Sequence, residues 1–105
     1  MTGIELIAAE RKRQVENEGW DAEHDVQHDC DELVRAAVSY AILETHIVTH
    51  RSGVPINGLK EKDLAELFWP WDDPPHPKPK RRLKNLVRAG ALIAAEIDRL
   101  QRAAP

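Results

Sequence analysis

The sequence predicts an all-α protein, a small bundle of three to four helices interrupted by a proline-rich loop and expected to self-associate. Three observations predict it. Apolar residues recur at helical spacing in separate stretches, whereas no stretch shows the strict alternation of a half-buried strand. Pro70, Pro74, Pro75, Pro77 and Pro79 crowd into one segment that cannot be regular, because each lacks an N–H and restricts its predecessor. The chain has 105 residues, enough to bury a core without staples and too few for two domains, so residues 1–105 are read as one domain.

The first helix is expected over residues 3–18. Thr2 and Glu5 have capping-box spacing, Ile4, Ile7, Ala8, Arg11 and Val15 form one stripe, and Gly19 offers a left-handed stop. Trp20 to Asp29 is acidic and aperiodic, hence a loop leading to Asp29 or Asp31 as the next N-cap. The second helix then runs to about His50 on Leu33, Val34, Ala37, Val38, Ala41, Ile42 and Val48, with Arg51-Ser52-Gly53 as its breaker. Leu59, Leu64, Leu67 and Phe68 suggest a short amphipathic helix that Trp69-Pro70 ends. The last helix, from Arg81 to about Arg102, sets Leu83, Leu86, Val87, Gly90, Ile93, Ala94, Ile97 and Leu100 on one face. Gly90 in its middle costs roughly 1 kcal/mol relative to Ala, which a close approach of another helix would explain.

The net charge is only −3, but the charges are sorted. Glu16, Glu18, Asp21, Glu23, Asp25, Asp29, Asp31 and Glu32 fall where Lys and Arg are absent; Lys78, Lys80, Arg81, Arg82, Lys84 and Arg88 fall where acids are absent. Such poles either pair with each other or leave the basic one to hold an anion. Overall acidity argues against an extended nucleic-acid surface and favours a small polyanion. A single cysteine, Cys30, forms no internal disulfide, no apolar run approaches the roughly 20 residues of a membrane span, and residues 1–10 do not read as a secretory signal. A cytoplasmic protein without membrane contact is expected.

Two constellations could carry chemistry. Trp69 and Trp71 stand beside the basic start of the last helix, where indole can stack a base and Lys78, Arg81, Lys84 and Arg88 can meet phosphates. The bland alternative is that the indoles fill a core. In the acidic segment, Glu23, Asp25, His28 and Glu32 could hold magnesium, although no H-E-x-x-H or C-x-x-C pattern accompanies them and a solvated acidic loop is the simpler reading. In a further cluster, Glu10-Arg11-Lys12-Arg13-Gln14, Arg11 lies on the apolar stripe of the first helix, so its head needs a partner, ordinarily the acidic loop or Glu96 and otherwise a ligand.

Taken together, I-A-A-E-R-K-R-Q at residues 7–14, E-G-W at 18–20, E-H-D-V-Q-H at 23–28, E-L-V-R-A-A-V-S-Y-A at 32–41, W-P-W at 69–71 and N-L-V-R-A-G-A-L-I-A-A-E-I-D-R-L at 85–100 resemble a family of small helical phage and prophage proteins, similar in part to MazG-type nucleotide pyrophosphohydrolases. The resemblance implies a helical fold and, on the MazG side, magnesium-dependent chemistry. Val26 stands where the family's E-H-D-D-x-H segment has a second Asp, and Asp31 where its G-E-L has Gly. In size, helicity and lack of catalytic motifs the chain also resembles phage sponges that capture immune signalling nucleotides.

The function expected is therefore non-catalytic sequestration of a nucleotide second messenger, cyclic or related, to counter host defence, by a homo-oligomer that needs no cofactor. The binding residues expected are Arg11, Gln14, Trp20, His24, Trp69, Trp71, Lys78, Arg81, Lys84, Asn85 and Arg88. The alternatives are a magnesium-dependent nucleoside triphosphate pyrophosphohydrolase using Glu23, Asp25, His28 and Glu32, and a protein-binding inhibitor of a host enzyme.

Overall fold

The computed structural model describes residues 1–18, 31–46, 58–71, 77–78 and 81–103. Four helices account for most of them: α1 (Gly3–Glu18), α2 (Glu32–Ile42), α3 (Glu61–Phe68) and α4 (Arg82–Ala103), with no strand among the described residues. The all-α expectation holds. So do the bounds of α1, to the residue, and those of α4, to within one.

Local chemistry sets the helix ends. At the start of α1 the Thr2 N–H donates to Glu5 Oε1 at 2.9 Å and the Glu5 N–H to Thr2 Oγ1 at 3.2 Å, the reciprocal box read from the sequence. The Lys60 N–H donates to Asp63 Oδ2 at 2.9 Å ahead of α3. That helix stops at Trp69, whose ψ of 121° is the extended conformation that Pro70 demands.

The second helix ends about eight residues sooner than its apolar pattern suggested. The Glu44 and Thr45 N–H groups turn back to the Ala41 and Ile42 carbonyls, and Thr45 Oγ1 also donates to the Ile42 carbonyl at 2.8 Å. Thr and the drawn-in Glu44 side chain compete with helix propagation here, which apolar periodicity does not register. Asp31 is the N-cap, but its carboxylate makes no capping bond.

Among the described helices packing runs α3, α2, α4, α1, with α2 against both α3 and α4, and α1 against α4. The core comprises Leu33, Ala36, Ala37 and Tyr40 of α2 with Ala89, Leu92 and Ala95 of α4, flanked by Ala41, Trp69 and Trp71. Alanine dominates the seam between α2 and α4. Small side chains let two helices approach at the short end of the usual spacing of about 8–10 Å, and the bulk of Tyr40 and the indoles fills the margin.

The inward face of α4 differs from the expected one. Asn85, Ala89, Ala91, Leu92, Ala95 and Glu96 are buried, whereas Leu83, Leu86, Ile93, Ile97 and Leu100 are 43–64% exposed. The expected face carried the larger aliphatic side chains, but a seam of closely packed helices selects the small ones. Val34 and Val38 of α2 are similarly half-open, lining a groove of about 560 Å³ with Asp31, Arg35, Leu67 and Phe68. Gly90 does have a close neighbour: a Cβ added there would lie 2.6 Å from Ile7 Cδ1 and 2.9 Å from Ile7 Cγ1. This is the helix approach that the glycine suggested.

Candidate functional site

Two groups of polar residues lie near the N-terminal half of α4. In the first, Asn85 is fully buried one turn into the helix. Its Nδ2 donates to Glu44 Oε2 and to the Lys78 carbonyl, both at 2.8 Å, tying the end of the α2 turn and the segment at 77–78 to α4. Arg82 reinforces the tie by donating from Nη1 to the Glu44 carbonyl at 3.1 Å. Asn85 Oδ1 is buried with no hydrogen-bond partner.

In the second group, Glu10 of α1 accepts a fork from Arg13, with both bonds at 2.7 Å, and a third bond from Gln14 Nε2 at 3.0 Å. Burial raises the Glu10 pKa, but Arg13, Gln14 and the nearby positive charge of Arg88 outweigh it and hold the carboxyl below its ordinary value. Arg88 also lies over the Tyr40 ring, 5.8 Å from its centroid. Tyr40 meets Trp69 edge-on at 5.7 Å, and Trp69 meets Trp71 edge-on at 5.1 Å. A chain of ring contacts thus runs from Trp71 through Trp69 and Tyr40 to Arg88, whose charge acts on Glu10. A cleft of about 180 Å³ opens beside it, lined by Leu6, Glu10, Leu83, Lys84, Val87 and Arg88.

The residues expected to bind a ligand divide accordingly. Lys78, Arg81 and Lys84 are exposed about the start of α4, and Lys84 and Arg88 share the cleft. Asn85 and Gln14 are bonded to the carboxylates Glu44 and Glu10 and are fully buried, which keeps both side chains from reading a base. Arg11 finds an acid on α4, but it is Asp98, at 3.9 Å, rather than Glu96; Glu96 pairs with Arg99. Trp69 and Trp71 are half-buried against the core, so packing takes up much of their surface. Trp20 and His24 lie outside the described residues, as do Glu23, Asp25 and His28 of the alternative magnesium set. Of that set Glu32 is described, half-buried with Oε2 lacking a hydrogen-bond partner. Among the described residues no cluster of three His, Cys, Asp or Glu side chains could hold a metal, and no helix is long and apolar enough to cross a membrane.

Sequence reasoning gave no role to Glu10, Glu44 or Tyr40. Glu10 carried a signal, since Glu10, Arg13 and Gln14 are spaced three and four apart, as neighbours on one helix are. The role of Glu44 depends on a contact 41 residues away and has no local signature.

Comparison with protein-family models, curated proteins and solved structures finds no significant match. The functional reading therefore rests on the residues themselves.

Proposed function

We propose that the chain binds a small phosphate-bearing nucleotide at the basic start of α4 and retains it without cleaving it. One observation carries the reading. Lys78, Arg81 and Lys84 gather around the first turn of a 22-residue helix, exposed and without an ion pair to any described residue. The backbone N–H groups of that turn add donors of the same polarity, and an anion there is favoured by the helix macrodipole. The bonds from Asn85 to Lys78 and Glu44 hold the surrounding segments in place, so the cations are presented on a preorganised surface.

The base would lie along the half-buried edge of Trp71 and Trp69, with Arg88 in reach of a second phosphate group. Within this proposal the nucleotide is a signalling molecule, and sequestration is the activity consistent with stacking faces and cations alone.

Incubation with a mixed nucleotide pool, removal of unbound material, heat release and mass spectrometry tests the reading. Intact nucleotide should be recovered from wild-type protein and at least tenfold less from Arg81→Ala/Lys84→Ala, whose helical circular dichroism should be unchanged because both side chains are exposed. Equal recovery from both proteins, or none from wild type, would refute it.

The orphaned Oε2 of Glu32 favours a second reading, a magnesium-dependent pyrophosphohydrolase. Its signature would be monophosphate rather than intact ligand in the released material, dependent on magnesium and lost in Glu32→Gln.

A further inference from the structure

The large aliphatic side chains that the core of α4 leaves out are not scattered. Leu86, Ile93, Ile97 and Leu100 fall within about 60° of the helix circumference at 3.6 residues per turn, and they are 43%, 48%, 51% and 55% exposed. Leu83, 64% exposed, borders the strip at its N-terminal end. Seven-residue spacing from Leu86 to Ile93 and from Ile93 to Leu100 is the repeat of a helix seam rather than of a random surface. On α1, Ile4 is 82% exposed one turn before Ile7, whose side chain sits on Gly90 at the border of the strip.

We propose that this strip is the interface of a homodimer in which the α4 helices of two copies pack antiparallel about a two-fold axis at Ile93. The occupant is a second copy because the strip is self-complementary: with Ile93 on the axis, Leu86 of each protomer stands opposite Leu100 of the other.

Charge sets the direction. Arg81, Arg82 and Lys84 are exposed at one end of α4. A parallel pair would set both sets of these cations, and both positive helix N-termini, side by side. An antiparallel pair places each set near the C-terminal turns of the other copy, where the helix dipole is negative and the cations Arg99 and Arg102 stand beside the acids Glu96 and Asp98, the latter also paired with Arg11, so that no second block of unbalanced positive charge is met. The five aliphatic side chains of α4 present on the order of 450 Å² per protomer, comparable to the largest patch on a typical monomer at about 300–600 Å². With Ile4 and the polar flanks the covered area approaches the lower end of specific interfaces, about 600 Å² per partner. An interface of that size belongs with weak, transient pairs. The expectation of self-association thus has a defined surface, and the small-residue run of α4 is not part of it: Ala89 and Ala91 are buried within the protomer, and Gly90 lies under Ile7.

Sedimentation equilibrium over a micromolar concentration series tests the proposal. The wild-type mass should rise from 11.9 kDa toward twice that value, and Ile93→Glu/Ile97→Glu should raise the dissociation constant about 100-fold or more while keeping the monomer's helical circular dichroism. Should that variant lose helicity, Ile93→Gln alone should still weaken association without unfolding. A wild-type mass that stays at 11.9 kDa, or a folded glutamate variant that associates as wild type does, overturns the interface. Direction is read by oxidative cross-linking in a Cys30→Ser background. Ile93→Cys should link to itself, and Leu86→Cys should link to Leu100→Cys but not to itself; efficient self-linking of Leu86→Cys would overturn the antiparallel order.

Discussion

Replacing Gly90 with alanine sets two known effects against each other, and the structure decides between them. In an exposed helix interior the change would stabilise by roughly 1 kcal/mol, because alanine is the better helix former. Here the new Cβ would arrive 2.6 Å from Ile7 Cδ1 and 2.9 Å from Ile7 Cγ1. The terminal Cδ1 can swing away about χ2, but Cγ1 moves only if χ1 leaves its preferred rotamer, and in a β-branched residue on a helix that rotamer is strongly held. Overpacking of this kind costs about 1–3 kcal/mol. The net expectation is a loss of about 1 kcal/mol, or a drop in Tm of roughly 4–8 °C in a domain of this size.

A double-mutant cycle isolates the contact. In an Ile7→Ala background both obstructing atoms are gone, so Gly90→Ala should become stabilising by up to about 1 kcal/mol. Urea denaturation of the four proteins at one fixed protein concentration measures all the terms. A wild-type background in which Gly90→Ala raises the midpoint, or an equal effect in both backgrounds, would refute the seating of Ile7 on Gly90.

Other outcomes follow from the same packing. Leu92→Ala, at a fully buried seam position, should cost about 2–5 kcal/mol in urea denaturation, whereas Leu100→Ala should cost the protomer under about 1 kcal/mol. Asn85→Ala removes the donor shared by Glu44 and the Lys78 carbonyl and should cost about 1–3 kcal/mol, with amide exchange accelerating at Lys78 and Glu44. The Glu10 carboxyl is held below its ordinary value of 4.5, so its stabilising contribution is present above that pH and fades as pH falls through the lower folded-state value. Thermal melts from pH 6 to 3 should accordingly show a shallower acid loss for Glu10→Gln than for wild type; parallel curves would contradict the assignment. Trp71→Ala should lower Tm as well as any nucleotide retention, since the indole packs against Trp69 and the core; a variant with unchanged Tm would show that its packing contributes nothing.

Features governed by neighbours in sequence were legible without coordinates. The Thr2–Glu5 box, the span of α1, the Trp69-Pro70 stop, the start and end of α4 and the close contact at Gly90 all follow from interactions over three or four residues or from the conformational limits of glycine and proline. The clustering of Lys78, Arg81 and Lys84 near one helix start was equally plain, because residues within six positions of one another cannot be far apart in space.

The choice among apolar faces was decided by tertiary structure alone. Periodicity marked Leu83, Leu86, Ile93, Ile97 and Leu100 as the core of α4, yet α2 packs against Ala89, Leu92 and Ala95, because helices bearing alanines can approach more closely and Tyr40, Trp69 and Trp71 already supply the bulk. Hydrophobicity ranks side chains by transfer from water; packing ranks them by fit to a partner surface that one helix's sequence does not contain. The burial of Asn85 and Gln14 has the same origin. Each is a polar residue that a sequence assigns to the surface or to a ligand; Asn85 is bonded by Glu44 from 41 residues away, whose position depends on how the helices meet, and Gln14 by Glu10 one turn back on the same helix, where the bond is local and only the burial is tertiary.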